Sequence, residues 1–289
     1  MLRGISRLYT TSLKNRTKLI RKRAMYRFKI FFRYYLKRQE KDPVFIITTR
    51  RTGSNLLLGY LNSIPRVSFA PEILNKSMSY GIRSKFISKK AVLRHIRHSI
   101  NASKEKTCGT KFVKLHLESH KITLENLKEY FPNARFIILY RRSLMDQFVS
   151  LRIAETTNTW HWTSQFCPPS SLRVQIPELL EFCKKIKIFY RDIFRRAWLK
   201  ECSIALSYEE LVQSPQETFE RVVFPFLKLP PVPVASSTKK QNTKQLREII
   251  QNYADIVPWI QHPLTWQDYS NLKSWPAEAE TLRFTENST

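Results

Sequence analysis

The sequence has 289 residues, of which 42% are hydrophobic and 12% aromatic, which excludes a disordered chain and allows one domain with a substantial core. A formal charge of +27 favours anionic partners such as polyanionic substrates, membrane surfaces or nucleic acid. No apolar run approaches the length that spans a bilayer. The four cysteines are scattered, without a CxxC pair, and this pattern indicates reduced thiols rather than a disulfide framework.

The N-terminal segment, residues 1–41, is a strongly basic arm. It holds fourteen Lys and Arg residues and a single Glu, a net charge of +13. Large apolar side chains recur in it with helical spacing at Met25, Phe28, Phe32 and Tyr35. This pattern predicts a helix that lies on an anionic membrane surface. A solvated or packing arm, a transit peptide and a nucleic-acid-binding arm are the alternatives. Because the segment has no signal-peptide core, we expect a cytoplasmic protein that is peripheral at the membrane.

Residues 44–61, VFIITTRRTGSNLLLGYL, contain a short apolar run, a basic turn and a helical pattern. The apolar run predicts a buried parallel strand whose carboxyl end leads into a helix N-terminus. The first amides of a helix have no internal partner and point at the preceding turn, so the junction predicts a phosphate site. Gly53 permits close backbone approach, and Arg50 and Arg51 supply charge. The turn lacks the Gly-Lys-Ser/Thr ending of a Walker A loop, which predicts phosphate binding without an obvious metal.

The segment TTRRTGSNLL resembles the 5′-phosphosulfate-binding loop of the sulfotransferases, which use 3′-phosphoadenosine-5′-phosphosulfate (PAPS). The resemblance implies that Arg51 takes the family's Lys or Arg place against the 5′-phosphate. Arg50 stands where many members have proline, and it adds a second charge to the loop. The other loop contacts that the resemblance implies come from Thr52, Gly53, Ser54 and Asn55.

Two residues are candidates for the general base that deprotonates an acceptor hydroxyl. Glu72 lies near the end of the next predicted strand, and its position resembles that of the acidic residue proposed as base in trehalose-type sulfotransferases. His116 lies in Lys114-Leu115-His116-Leu117, which resembles the Lys-Thr-His-Leu sequence whose histidine is the base in cytosolic sulfotransferases. We expect CGTKFVKLHLE to form an alternating strand on which Lys111, Lys114 and His116 are accessible. The choice between Glu72 and His116 stays open at this point.

A second strand and helix follow in ARFIILYRRSLMDQFVSLRIAETTNTW. Arg141 and Arg142 come at the end of the strand, and Ser150 follows Arg142 by eight residues on the helix. This arrangement resembles the family's 3′-phosphate site, where a forked guanidinium and a hydroxyl recognise phosphate oxygens. The Gln147-x-x-Ser150 pair and the Thr-x-x-Thr-Trp that follows resemble the trehalose-sulfotransferase-like branch, which implies a carbohydrate or glycolipid acceptor.

A late basic segment, SSTKKQNTKQLREIIQNY, follows a Pro-rich linker. The family resemblance implies that Lys239 or Lys240 closes over the 3′-phosphate and adenine. No His, Cys and Asp cluster has metal-ligand spacing, so we expect no metal.

Together these patterns predict an α/β fold, a P-loop-like three-layer sandwich with a central parallel sheet in residues 42–289, plus a basic helical extension in residues 1–41. The resemblance implies a PAPS-dependent sulfotransferase that acts on a carbohydrate or glycolipid hydroxyl by in-line displacement. An anionic membrane surface is the second expected partner, nucleic acid is not expected, and the sequence carries no prediction of oligomeric state. A non-catalytic phosphate- or nucleic-acid-binding protein is the alternative, and the missing Walker A ending disfavours a kinase.

Overall fold

The computed structural model describes Met25 and residues 41–75, 82, 87–160, 171–238 and 245–256. The predicted basic helix of residues 1–41 therefore lies outside the described residues except for Met25 and Lys41, and so do Lys239 and Lys240. The chain divides into two compact units. The first unit contains Met25 and the described residues between 41 and 140 and between 202 and 238, and the second contains those between 141 and 201 and between 245 and 256.

Five strands of the first unit form one parallel sheet in the order β2-β3-β1-β4-β5. The strands are β1 (Val44–Thr48), β2 (Val67–Ala70), β3 (Thr107–Val113), β4 (Arg135–Tyr140) and β5 (Ser203–Ser207). The chain moves to one side of β1 to form β2 and β3 and then crosses to the other side for β4 and β5. The carboxyl end of β1 therefore lies where the strand order reverses, the usual position of a ligand site in open α/β sheets.

Helices account for most of the other described residues of both units. In chain order they are α1 (Ser54–Ser63), α2 (Lys89–Asn101), α3 (Lys114–Ser119), α4 (Leu124–Tyr130), α5 (Leu144–Thr157), α6 (Ile176–Phe194), α7 (Ala197–Cys202), α8 (Tyr208–Gln213), α9 (Pro215–Thr218), a π-helical turn (Phe219–Val223), α10 (Phe224–Leu227), α11 (Leu246–Ile249) and α12 (Tyr253–Ile256). No helix in the described ranges is long and apolar enough to cross a membrane.

Strand β1 is buried on both faces, as its unbroken apolar sequence predicts. On one face Ile46 packs in a cluster with α1 and with the helical stretch 219–227. On the other face the ring of Phe45 contacts the ring of Phe131 at the end of α4, with 5.3 Å between centroids. The guanidinium of Arg97 on α2 lies 4.3 Å from the ring centre of Tyr130 on α4. Helices thus cover both faces of a parallel sheet, which confirms the predicted three-layer α/β fold.

The second unit is helical and is held by its own apolar cluster, in which Phe148 of α5 and Leu179 of α6 pack with Ile249 of α11. Ser143 caps the start of α5, because its hydroxyl accepts a hydrogen bond from the Asp146 amide at 3.2 Å. Helix α6 begins with proline in its first turn, where a missing N–H costs nothing.

Candidate functional site

The turn between β1 and α1 has the backbone of an anion-binding loop. Arg51 and Gly53 both adopt left-handed conformations, with φ of 64° and 78°. Gly53 is the N-cap of α1 and has no side chain that could occupy the first amides of the helix. A Cβ atom on Gly53 would lie 2.2 Å from Cδ2 of Tyr208, so the position excludes any side chain. The N-cap of α1 therefore makes no side-chain hydrogen bond to the first turn, an arrangement that suits an anion.

Two buried threonines fix this turn. Thr48 and Thr52 are fully buried, and their hydroxyl groups hydrogen-bond to each other. The Thr48 hydroxyl also lies 3.0 Å from the carbonyl oxygen of Leu139 on β4, and the Thr52 hydroxyl lies 3.1 Å from the carbonyl oxygen of Thr49. The Thr52 side chain therefore stabilises the loop from inside. Arg50 is exposed and Arg51 is half-buried.

Lys111 connects the turn between β1 and α1, called the phosphate loop below, to the rest of the site, although the sequence assigned it no role in binding or catalysis. In the parallel register it pairs with Ile46, so its side chain extends from the same face of the sheet as the one that α1 covers. Its Nζ donates to Ser54 Oγ at 3.1 Å and to Asn55 Oδ1. Only 2% of Lys111 is exposed. The prediction that Lys111 is an accessible strand residue is wrong, because α1 packs over that face.

Glu72 lies in the loop after β2, as predicted, and its carboxylate faces Lys111. Lys111 Nζ is 3.1 Å from Glu72 Oε1. The Asn75 side-chain amide donates to Glu72 Oε2 at 2.7 Å. An ammonium group has three donors, and Ser54, Asn55 and Glu72 supply three acceptors, which favours the charged form of the lysine. The predicted loop residues and one predicted base are thus connected through a single buried cation.

His116 approaches the same carboxylate from α3. Its Nε2 is 3.9 Å from Glu72 Oε2, and 14% of its side chain is exposed. The prediction of a continuous strand through His116 is wrong. Strand β3 ends at Val113, which pairs with the last residue of β1, and the chain then turns into helix α3. Glu72 and His116, which the sequence left as competitors, are therefore neighbours.

The charges around Glu72 set its protonation. Burial raises the pKa of Glu72, but Lys111, Asn75 and His116 more than offset this, so that the pKa lies below the ordinary 4.5. Burial lowers the pKa of Lys111 below 10.5, and Glu72 opposes this effect. Burial likewise lowers the pKa of His116 below 6.5, against the opposing effect of Glu72 and with the aid of Lys111, His120 and Arg50. At neutral pH the site therefore presents an ionised carboxylate beside a neutral imidazole.

The residues predicted for the 3′-phosphate belong to the second unit. Arg142 follows the last residue of β4 by two positions, and Ser150 lies on α5, where it is half-buried. Arg141 is 8% exposed, and its Nη2 lies 3.9 Å from Asp146 Oδ1. The Arg141 side chain is therefore directed at a carboxylate of its own helix start. Lys239 and Lys240 are outside the described residues, but Thr238, just before them, lies with its hydroxyl 3.4 Å from the Asn55 carbonyl oxygen.

The described residues contain no group of three or more His, Cys, Asp or Glu side chains that could hold a metal ion. The turn between β1 and α1 carries helix amides and two arginines, which are groups that bind phosphate in proteins. A parallel α/β sheet with such a loop at the carboxyl end of its central strand is the architecture of a P-loop-like protein.

A family model described as the sulfotransferase family matches residues 43–232, which is more than half of the chain. The chain therefore belongs to the PAPS-dependent sulfotransferase family, as the sequence motifs predict. No curated protein matches the chain in sequence.

Three solved sulfotransferases are similar to the chain. One from Alicyclobacillus acidocaldarius has a TM-score of 0.48 and 15% identity, and the match covers 71% of this chain and 88% of that one. Mouse SULT7A1, solved in complex with 3′,5′-adenosine bisphosphate (PAP), has a TM-score of 0.43 and 11% identity, and the match covers 68% of this chain and 62% of that one. STF1 from Mycobacterium tuberculosis H37Rv has a TM-score of 0.43 and 14% identity, with coverage of 75% and 76%.

Proposed function

We propose that this sulfotransferase moves the sulfuryl group of PAPS to a hydroxyl of a carbohydrate or glycolipid by in-line displacement. The observation that supports the proposal is that a single lysine links the phosphate loop to a candidate base. The first turn of α1, at Ser54 and Asn55, is joined through Lys111 to the carboxylate of Glu72. A donor on the loop and an acceptor hydroxyl at Glu72 would then be close enough to react.

The donor is proposed to lie with its 5′-phosphosulfate on the turn between β1 and α1. The fit is supported by the left-handed Gly53, by the lack of a side-chain cap on α1, and by Arg50 and Arg51. Arg142 and Ser150 are proposed to hold the 3′-phosphate, which distinguishes PAPS from ATP. This second assignment rests on their places after β4 and on α5, eight residues apart, as in the family pattern.

The reaction requires one proton transfer and one exchange of bonds at sulfur. The acceptor hydroxyl gives its proton to Glu72 as its oxygen forms a bond to sulfur. The bond between sulfur and the 5′-phosphate oxygen breaks, and its electron pair remains on that oxygen. Arg51 and the loop amides stabilise the charge that grows there, and electrostatic stabilisation of this kind is usually the largest single contribution to catalysis. The products are the sulfate ester and 3′,5′-adenosine bisphosphate (PAP), and His116 is the alternative base.

The acceptor class is proposed from the resemblance of residues 141–160 to the trehalose-sulfotransferase-like branch. The test is transfer of radioactive sulfate from labelled PAPS to separate pools of oligosaccharides, glycolipids, tyrosine peptides and phenols. Label in an oligosaccharide or glycolipid that is lost in Arg51→Ala is the expected result. Lys128→Met on α4 is the control, because it removes one positive charge, as Arg51→Ala does, and it should keep the activity. Label only in the peptide or phenol pool would overturn the acceptor class.

Residues 1–41 are proposed as a basic arm that precedes a sulfotransferase domain of residues 42–289 and that holds a cytoplasmic enzyme against an anionic membrane surface. Nucleic acid is not a proposed partner. Sedimentation of the full chain with phosphatidylserine vesicles, but not with phosphatidylcholine vesicles, is expected. Substitution of Lys22, Lys29 and Arg33 by Gln should weaken it, and equal binding to both kinds of vesicle would contradict the proposal.

A further inference from the structure

Lys111 has two sets of contacts that belong to two different parts of the reaction. Its Nζ donates to Ser54 Oγ at 3.1 Å and to Asn55 Oδ1, both in the first turn of α1. The same Nζ lies 3.1 Å from Glu72 Oε1. One ammonium group therefore touches the helix turn proposed to receive the donor and the carboxylate proposed to receive the proton.

The position of Lys111 is fixed by the fold. It lies on β3 opposite Ile46 of β1, and both residues extend from the face that α1 covers. Because the residue is 2% exposed, its ammonium is shielded from water and from salt. The charge acts over a short range and in a poorly screened environment, where electrostatic effects are strong.

The donor and the base carry charges of the same sign. The 5′-phosphosulfate is an anion, and Glu72 is ionised because Lys111 and its other neighbours hold its pKa below the ordinary value. Two anions that approach each other in a partly buried site repel, and each raises the free energy of the other's ionised form. A cation that contacts both locations removes this conflict.

We propose that Lys111 is a positioning residue that couples the two sites: its ammonium neutralises Glu72 towards the bound donor, so that the carboxylate stays ionised and in place while PAPS occupies the loop. This inference rests on the proposed donor site. It assigns Lys111 no contact with the transferred sulfuryl group. Its effect passes through Glu72 and through the first turn of α1.

The other groups around Glu72 do not replace Lys111. His116, from α3, is 3.9 Å away and is kept neutral by burial. Asn75, from the loop of Glu72 itself, donates to Oε2 and is uncharged. Arg50, from the phosphate loop, and His120, which follows α3, act on His116, and both lower its pKa. In Lys111→Met the carboxylate therefore loses the cation that contacts it. We expect the pKa of Glu72 to rise towards the pH range over which PAP binding is measured.

The experiment is calorimetric titration of the full chain with PAP from pH 5.0 to 7.5, with AMP as the ligand that lacks the 3′-phosphate. The variants are Lys111→Met, Glu72→Gln, the double variant, and Lys128→Met as the control for loss of a lysine. Each affinity is divided by that of the wild type at the same pH, which removes the titration of the ligand itself. Thermal unfolding of each variant verifies that it is folded.

The proposal predicts that PAP affinity of Lys111→Met relative to wild type falls by about tenfold or more between pH 5.0 and 7.5, a size typical of coupling between sites. The same ratio should be independent of pH in the double variant and in Lys128→Met. A pH-independent ratio in Lys111→Met would overturn the inference.

Glu72→Gln provides a second criterion if Lys111→Met does not fold. With the carboxylate removed, the full charge of Lys111 acts on the loop, so PAP should bind about fivefold or more tightly than to wild type at pH 7.5. Unchanged or weaker binding would overturn the inference. A wild-type protein that binds PAP no better than AMP would instead overturn the proposed function, so the two failures are distinguishable.

Discussion

Gly53 and Tyr208 are in such close contact that a Cβ atom on the glycine would lie 2.2 Å from Cδ2 of the tyrosine ring. Gly53 belongs to the turn after β1, whereas Tyr208 begins α8 directly after β5. The ring therefore lies against the backbone of the phosphate loop. This contact explains why the loop needs glycine for space as well as for its φ of 78°.

Gly53→Ala is expected to weaken both folding and donor binding. The left-handed conformation costs alanine about 1 kcal/mol, and the clash with Tyr208 adds to this. Calorimetry with PAP and thermal unfolding measure the two effects. Gly53→Ala combined with Tyr208→Ala should recover the part due to the clash and leave the conformational part. Full PAP affinity in the single variant would show that the loop does not bind the donor in this conformation.

Glu72 and Lys111 are expected to show strong coupling in protein stability. Glu72→Gln leaves a buried ammonium without its counter-charge, and we expect a loss of about 3 kcal/mol in the free energy of unfolding. Lys111→Met in the same chain should restore part of this loss, because it removes the uncompensated charge. Urea unfolding of the two single variants and the double variant gives the coupling energy. Strictly additive effects would mean that the pair is not formed in solution.

The stability of the protein should fall as the pH is lowered from about 7.5 to 5.5. His98, His116 and His120 all have pKa values below the ordinary 6.5, chiefly because they are buried. In this window the unfolded chain binds more protons than the folded one, so acid favours unfolding. Glu72 acts in the same direction at lower pH, because its folded pKa is below 4.5.

The measurement is the urea midpoint at several pH values, compared between the wild type and His120→Gln. The His120 ring nitrogen Nε2 lies 2.9 Å from the Leu74 carbonyl oxygen, and the side-chain amide of glutamine can replace that donor without titrating. A smaller slope with pH is therefore expected in the variant. A midpoint that does not change between pH 7.5 and 5.5 would refute the account of the buried histidines.

Gln216→Ala should loosen the segment that leads to Lys239 and Lys240. The Gln216 side chain accepts from the Val234 amide at 3.0 Å and donates to the Val232 carbonyl oxygen at 3.2 Å. Loss of these two bonds is expected to cost about 1 to 2 kcal/mol. Trypsin should then cleave after Lys239 or Lys240 faster than in the wild type, with PAP restoring protection. Equal cleavage rates in the two proteins would contradict this role.

The sequence predicted the core of the fold well, because its strongest patterns are local. The apolar runs at residues 44–47 and 136–140 form β1 and β4, and the turn that contains Gly53 lies between β1 and α1, as predicted. The error at His116 has a physical reason. The apolar residues Phe112, Leu115 and Leu117 fit the spacing of a strand as well as that of a helix. The end of β3 is set by its register with β1, which local periodicity cannot reveal.

The role of Lys111 could not be predicted for a related reason. Its partners Ser54, Asn55 and Glu72 are 57, 56 and 39 positions away in the chain, and they meet it only because β1, β2 and β3 are neighbours. The sequence signal for such a role was a lysine among the apolar residues of a predicted strand. The family match confirms the predicted class, whereas the assignments of Arg51, Arg142 and Ser150 stay predictions.

Calorimetric titration of the purified chain with PAP, beside AMP and ATP, tests the proposed donor site most directly. We predict micromolar binding of PAP that requires the 3′-phosphate and is lost in Arg142→Ala, because a guanidinium that binds phosphate contributes about 1.5 to 3 kcal/mol. Lys128→Met should bind as the wild type does. Equal affinity for PAP and AMP, or undiminished binding in Arg142→Ala, would contradict the assignment of the donor site.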